Sequence, residues 1–141
     1  MKDFKEECYE DVYDSNIKFE EKGKSITFKN PGRRGFRKVI VDGCQIIEGD
    51  KCDYLLVDLD NGNEYFVELK GTDVGHALLQ LDMSLKQLSD KDNKSKFTRT
   101  IIVATNCSPK LSAKVQKYTK MWKKAFGTTP EIKEKKYEVK V

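Results

Sequence analysis

Apolar positions recur along this chain with two periods, and the switch between them outlines the elements. Phe4, Cys8 and Val12, with Tyr9 beside them, fall at helical spacing, so a helix is predicted over residues 1–21, ended by Gly23. Ser25 to Lys29 alternates and reads as a short strand, stopped by Asn30-Pro31-Gly32. Residues 36–41, the turn Asp42-Gly43 and Cys44 to Ile47 predict a hairpin. A second hairpin follows, formed by the apolar runs on either side of Asn61-Gly62. Leu78, Leu81, Leu85 and Leu88 then make a helical stripe, capped at its start by Thr72 or Asp73, with His76, Gln80 and Gln87 on the opposite side. Thr100 to Ala104 is a short continuous apolar run, as in a central strand. Ser108-Pro109 opens another helix, striped by Leu111, Val115, Tyr118, Trp122 and Phe126 and closed by Gly127. Glu131 to Val141 alternates like an exposed edge strand. The expected fold is α+β: a central mixed sheet flanked by helices, in the order helix, three or four strands, helix, strand, with an added helix and strand, all in one domain over residues 1–141.

Chemistry concentrates on the Asn61-Gly62 hairpin. With those two residues as the loop, Asp53 faces Lys70 and Leu55 faces Glu68, so Asp53, Glu68 and Lys70 share one face. The two carboxylates then lie on a diagonal roughly 7 Å apart at the backbone, within reach of one divalent cation. Leu55, Val57 and Phe66 share that face, while Tyr54, Leu56, Tyr65, Val67 and Leu69 line the other. Apolar residues on both faces predict a strand pair covered on both sides, where three charged groups are costly unless they pair or bind something. The competing reading is a solvated hairpin face carrying Asp53, Glu64, Glu68 and Lys70 for solubility.

Hard cations such as Mg²⁺ or Mn²⁺ take one or two carboxylates with water and substrate phosphate, and Asp53 with Glu68 suits that set. Lys70 beside them would position an attacking water and stabilise developing negative charge. The reaction implied is phosphodiester hydrolysis.

Asp53, then fourteen residues, then Glu68-Leu69-Lys70 resembles the PD-(D/E)XK motif of restriction-endonuclease-like nucleases and Holliday junction resolvases. The resemblance covers about residues 1–104. It implies Asp53 and Glu68 as metal ligands, the Leu69 carbonyl as a further ligand, and Lys70 as the catalytic lysine. It also implies a glutamate from the first helix, for which Glu7, Glu10, Glu20 and Glu21 are all candidates. Gln80 is the nearest match to a glutamine that members often carry on the following helix. Cys52 stands where the motif's proline would be.

Net charge is only +4, but its distribution is uneven. Residues 1–21 hold eight acids against three lysines, and residues 107–141 hold ten lysines against three glutamates. An acidic start and a basic end suit one side of the domain to phosphates. The resemblance to the nuclease family implies DNA in preference to RNA as the substrate. Arg33, Arg34, Arg37 and Lys38 form a cluster able to grip a backbone phosphate or simply to solvate a loop. Lys110, Lys114, Lys117 and Lys124 make a row on the last helix.

With no apolar leader and no membrane-length run, a cytoplasmic protein is expected, with Cys8, Cys44, Cys52 and Cys107 reduced. A zinc site from Cys44, Cys52, Cys107 and His76 lacks the close ligand pairs that such sites use. Cutting both strands would call for a homodimer, and sequence-specific cleavage for a partner or a dimer. The rival class is an inert nuclease-fold module that binds nucleic acid or serves as a scaffold.

Overall fold

The computed structural model describes residues 2–106 and 113–141, with Lys70 described in its strand but not in its side chain. Among these residues a short 3-10 turn, Glu6–Cys8, is followed by strands β1 (Tyr9–Val12), β2 (Asn16–Glu21), β3 (Lys24–Lys29), β4 (Phe36–Ile40), β5 (Tyr54–Asp58) and β6 (Glu64–Lys70). Helix α1 (Val74–Leu88), β7 (Thr98–Ala104), helix α2 (Ala113–Phe126), β8 (Pro130–Glu134) and β9 (Lys136–Lys140) complete the order. One sheet runs β1-β4-β5-β6-β7-β8, antiparallel as far as β6 and parallel beyond it, and a second runs β2-β3-β9. This is the α+β class expected.

The large sheet is the middle of three layers. On one face Leu55, Val57, Phe66 and Ile102 pack against the leucine stripe of α1 and against Tyr118 and Trp122 of α2. On the other, Leu56, Tyr65, Val67 and Ile101 pack against Ile17, Phe19, Ile26, Phe28 and Val139 of the small sheet. The two apolar faces read from the sequence are both covered.

Four local expectations need correction. Residues 1–21 are not a helix: Tyr9–Val12 pair with β4, and Ile17 and Phe19 alternate on β2. The apolar content of 1–21 is too sparse to bury a helical stripe, and strand pairing overrides the weak 3.6 pattern. Gly23 is not a helix stop but half of a two-residue hairpin loop, Lys22-Gly23, with both φ angles positive at 47° and 80°. Residues 44–47 form no strand; the loop 41–46 folds on itself. Cys44 is bonded to Cys8, 36 residues away in the sequence, although both were expected to be reduced. Glu131–Val141 is two strands, not one: Lys135, at φ 58°, breaks the run so that β8 closes the large sheet and β9 joins the small one. The expected helix start at Ser108-Pro109, with Lys110 and Leu111, lies outside the described residues, as does Cys107.

The register of the β5–β6 hairpin also differs from the expected one. Leu55 faces Phe66 and Tyr54 faces Val67, a slip of two residues. The loop holds four residues because Asp58 and Asn63 are the last bonded pair, Asp58 N–H to the Asn63 carbonyl at 2.9 Å. Asn61 is spent on a side-chain turn, its Oδ1 accepting from Asn63 N–H at 2.9 Å, and of this loop only Gly62 takes positive φ. An even slip keeps every side chain on its face. It also moves the point opposite Asp53 from Lys70 to Glu68.

The helix layer hangs on Trp122, fully buried, whose indole N–H donates to the buried Asp82 of α1 at 2.9 Å. Trp122→Ala is expected to lower the unfolding free energy by about 3–5 kcal/mol through the cavity it leaves. Trp122→Phe should cost only about 1–2 kcal/mol, since Asp82 keeps its ion pair with Lys86. Denaturant titration followed by far-UV circular dichroism checks both, because Trp122 is the sole tryptophan.

Candidate active site at the carboxyl end of β6

Asp53 lies just ahead of β5 and Glu68 near the end of β6, and the two clasp each other through the backbone. Asp53 N–H donates to Glu68 Oε1 at 3.0 Å, and Leu69 N–H donates to Asp53 Oδ2 at 2.9 Å. Each carboxylate is thereby held by the other's strand. Both are buried, at 9% and 2% exposure. They open on a cleft of about 320 Å³ lined by Glu21, Lys22, Lys24, Asp42, Asp53, Glu68, Leu69, Gly71 and Gln80.

All three layers supply this lining. The β2–β3 hairpin brings Glu21, Lys22 and Lys24; the loop after β4 brings Asp42; α1 brings Gln80. Asp42 is drawn in because Val41 N–H and Asp42 N–H both bond to the Asp53 carbonyl, at 3.0 and 3.4 Å. Gln80 Nε2 donates to the Lys51 carbonyl at 3.1 Å, which fixes its amide beside the cleft. Helix α1 is itself started by Asp73, whose carboxylate accepts from His76 N–H at 2.9 Å.

Of the four glutamates open from the sequence, the structure brings Glu21 to the acids, from a strand rather than a helix. Its Oε1 accepts from the Tyr54 hydroxyl at 3.2 Å. Burial, then the Glu21 carboxylate, push the Tyr54 phenol up to about 12, so it stays a donor at neutral pH. Asp42 was expected only as a turn residue, and Lys22 and Lys24 had no place in the sequence reading. The available signal was Lys22-Gly23 between two alternating runs, which a hairpin reading would have used.

Other expected site residues lie elsewhere. Arg34 is bonded to Asp58 at 2.7 Å and to Asp60 at 3.3 Å, at the far end of β5 from Asp53, roughly 16 Å along the strand. Arg37 makes a two-pronged pair with Asp11 at 2.7 and 2.9 Å and lies over the Tyr9 ring. Lys38 lies over Phe19, and Arg33 sits in a turn at φ 48°. None of the four lines the cleft. His76 is paired with Asp50 at 3.0 Å. Cys52 is a fully buried thiol packed under the helices, pushed far up by burial. The Lys70 side chain, the expected catalytic lysine, lies outside the described residues.

Among the described residues that line the cleft, acids outnumber lysines, Glu21, Asp42, Asp53 and Glu68 against Lys22 and Lys24. Asp53 is pushed up to about 6, first by burial and then by Glu21 and Asp42, against the lowering effect of the Leu69 N–H bond. Two other buried carboxylates show the contrast. Glu64 accepts from Ser89, Asp90 N–H and Thr98 and pairs with Lys96, and Asp58 has Arg34. Among the described residues no cation pairs with Asp53. Hard oxygen donors crowded in this way suit Mg²⁺ or Mn²⁺. Among the same residues, however, no three His, Cys, Asp or Glu side chains are drawn together as a finished coordination shell.

No family model, curated protein or solved structure matches the chain. Among the described residues no helix is long and apolar enough to cross a membrane.

The raised Asp53 carboxyl sets a sign for stability against pH. Its folded value, about 6, exceeds its ordinary 3.8, so the native state holds this proton more tightly. The resulting stability is fully present below the ordinary value and is lost as pH rises through about 6. Relative to Asp53→Asn, the wild type is expected to lose about 2–3 kcal/mol across that window. Urea titrations of both proteins at a series of pH values measure it, and a constant difference between them would refute a buried, unneutralised Asp53.

Proposed function

We propose that this chain is a metal-dependent nuclease of the PD-(D/E)XK kind, hydrolysing phosphodiester bonds in nucleic acid, DNA in preference to RNA. The observation that carries the reading is the clasp of Asp53 and Glu68 at the end of a covered hairpin, with Glu21 and Asp42 beside it and no cation on Asp53 among the described residues. Asp53 and Glu68 would hold Mg²⁺ or Mn²⁺, with Glu21 nearby and Leu69 on the cleft wall. The ion, when bound, lowers the pKa of its water and offsets charge on the phosphate. Asp53 and Glu68 enter with fixed directions because backbone N–H groups orient them, so little reorganisation is needed. Gln80 is positioned to hydrogen-bond substrate or water at the cleft edge. Lys70 keeps, by resemblance alone, the part of orienting the attacking water.

A surface for the nucleic-acid backbone is supported by α2. Its sequence AKVQKYTKMWKKAF carries five lysines and no acid, and all five are exposed. Lys114 reaches over Gly75 in the first turn of α1, close in sequence to the cleft residue Gly71. This helix, rather than the Arg33–Lys38 cluster in which Arg34 and Arg37 are already paired to aspartates, is the better candidate for tracking phosphates. Cutting both strands of a duplex would need a second copy or a partner chain. Recombination, repair and defence all use such an activity. A cytoplasmic setting fits nucleic-acid work, whereas the Cys8–Cys44 bond favours an oxidising compartment.

Plasmid and single-stranded DNA incubated with Mg²⁺ or Mn²⁺ provide the test. Wild type should cleave, and Asp53→Ala or Glu68→Ala should lower kcat by at least about 10²-fold. Cleavage that survives both substitutions would remove the assignment. A wild type that binds DNA and never cuts it would belong instead to the rival class, an inert binding module. Separately, Lys117→Glu, Lys120→Glu and Lys124→Glu together should weaken DNA binding by at least tenfold and flatten its dependence on salt. A binding isotherm series from low to high salt reads both effects.

A further inference from the structure

Among the described residues, Lys24 is a charge left without a counter-charge. It opens β3, directly opposite Glu21 across the Lys22-Gly23 loop, and it is 7% exposed. Its ammonium donates to the Lys22 carbonyl at 3.2 Å, and no carboxylate of the described residues forms an ion pair with it. An ammonium has three N–H donors, and this part-buried one has a single acceptor and no counter-charge among the described residues. Lys96, the other lysine held close to the sheet end, shows the ordinary solution: it pairs with Glu64 at 3.2 Å and also bonds to Thr98 and Ser89. Lys24 instead lines the cleft with Asp53 and Glu68, and it enters from the small sheet, the layer opposite Gln80.

We propose that Lys24 is a second phosphate-contacting lysine of this site, donating to a non-bridging oxygen of the phosphodiester being cut. The inference rests on the nuclease reading and adds to it a residue outside the Asp53, Glu68-Leu69-Lys70 motif. The acids of the cleft need positive charge near them, and a phosphate entering among carboxylates needs it more. Lys24 sits on the wall across from α1, so a phosphate between them would meet an ammonium on the face away from the helices. Charge on the non-bridging oxygens grows as the water oxygen bonds to phosphorus and the ester P–O bond breaks. The leaving oxygen departs as the alcohol with a proton from that water. Lys24 transfers no proton in this step; its hydrogen bond strengthens as the charge develops.

Steady-state cleavage of a short DNA oligonucleotide with Mn²⁺ tests this on Lys24→Met, which keeps the stem and removes the charge. The expected result is a kcat lower by about 10²–10³-fold, with KM changed by no more than a few-fold. Sulfur in place of one non-bridging oxygen should slow the wild type more than it slows Lys24→Met, a difference that a merely structural lysine would not produce. A folded Lys24→Met that cuts at the wild-type rate overturns the inference and leaves the nuclease reading intact. A wild type that cuts nothing overturns both. Should Lys24→Met fail to fold, the side-chain ammonium resonance of Lys24 in the wild type is followed while thymidylyl-thymidine is added. A saturable shift supports the contact, and an unmoved resonance overturns it.

Discussion

Cover on both faces leaves charge nowhere to go in the central strands β5 and β6 except their ends, and that constraint organises this molecule. Phe66, Val67, Leu55 and Leu56 are fully buried between the helices and the small sheet, so the middle of β5 and β6 admits only apolar side chains. The carboxylates of β6 accordingly stand at Glu64 and Glu68, close to its two ends. Glu64 is held by Lys96, Thr98, Ser89 and the Asp90 backbone, tying the exit of α1 to the entry of β7. Glu68 meets Asp53 at the other end.

The two ends have different electrostatics although both carry buried acids. The Glu64 end is neutralised from within and behaves as a structural tie. The Asp53 end collects Glu21, Asp42 and Glu68 around a group already raised by burial, and such a cluster costs stability. Acids crowded together in a cleft, against the trend of the rest of the fold, mark a candidate functional site. The carboxyl ends of β6 and β7, from which α1 and α2 depart as parallel crossovers, lie at that same end of the sheet.

Much of the frame was legible because it rests on local patterns. The leucine stripe of α1, the strand run ending at Ala104, and the Trp122 stripe of α2 each repeat at one period over enough residues to stand alone. The hairpin around Asn61-Gly62 was legible as a hairpin, yet its register was not. Asn61 has two ways to make a turn, and choosing the side-chain turn lengthened the loop to four residues. The even slip preserved the faces and so left the Asp53–Glu68 pair standing for a reason other than the one expected. Residues 1–21 misled because Phe4, Cys8 and Val12 mimic a helical stripe, while β1 exists only through β4 and the Cys8–Cys44 bond.

Periodicity and turn residues in the chain were thus enough to specify two helices, a twice-covered hairpin and a pair of acids near its open end, because each depends on neighbours a few residues away. The identity of the cleft's remaining groups came from contacts across the sequence. Glu21 and Lys24 meet Asp53 because the small sheet stacks on the large one through Phe19 and Tyr54, rings 4.6 Å apart. Asp42 joins them because two amides of its loop bond to the Asp53 carbonyl. Such meetings are fixed by how layers pack, and no spacing along a chain encodes them.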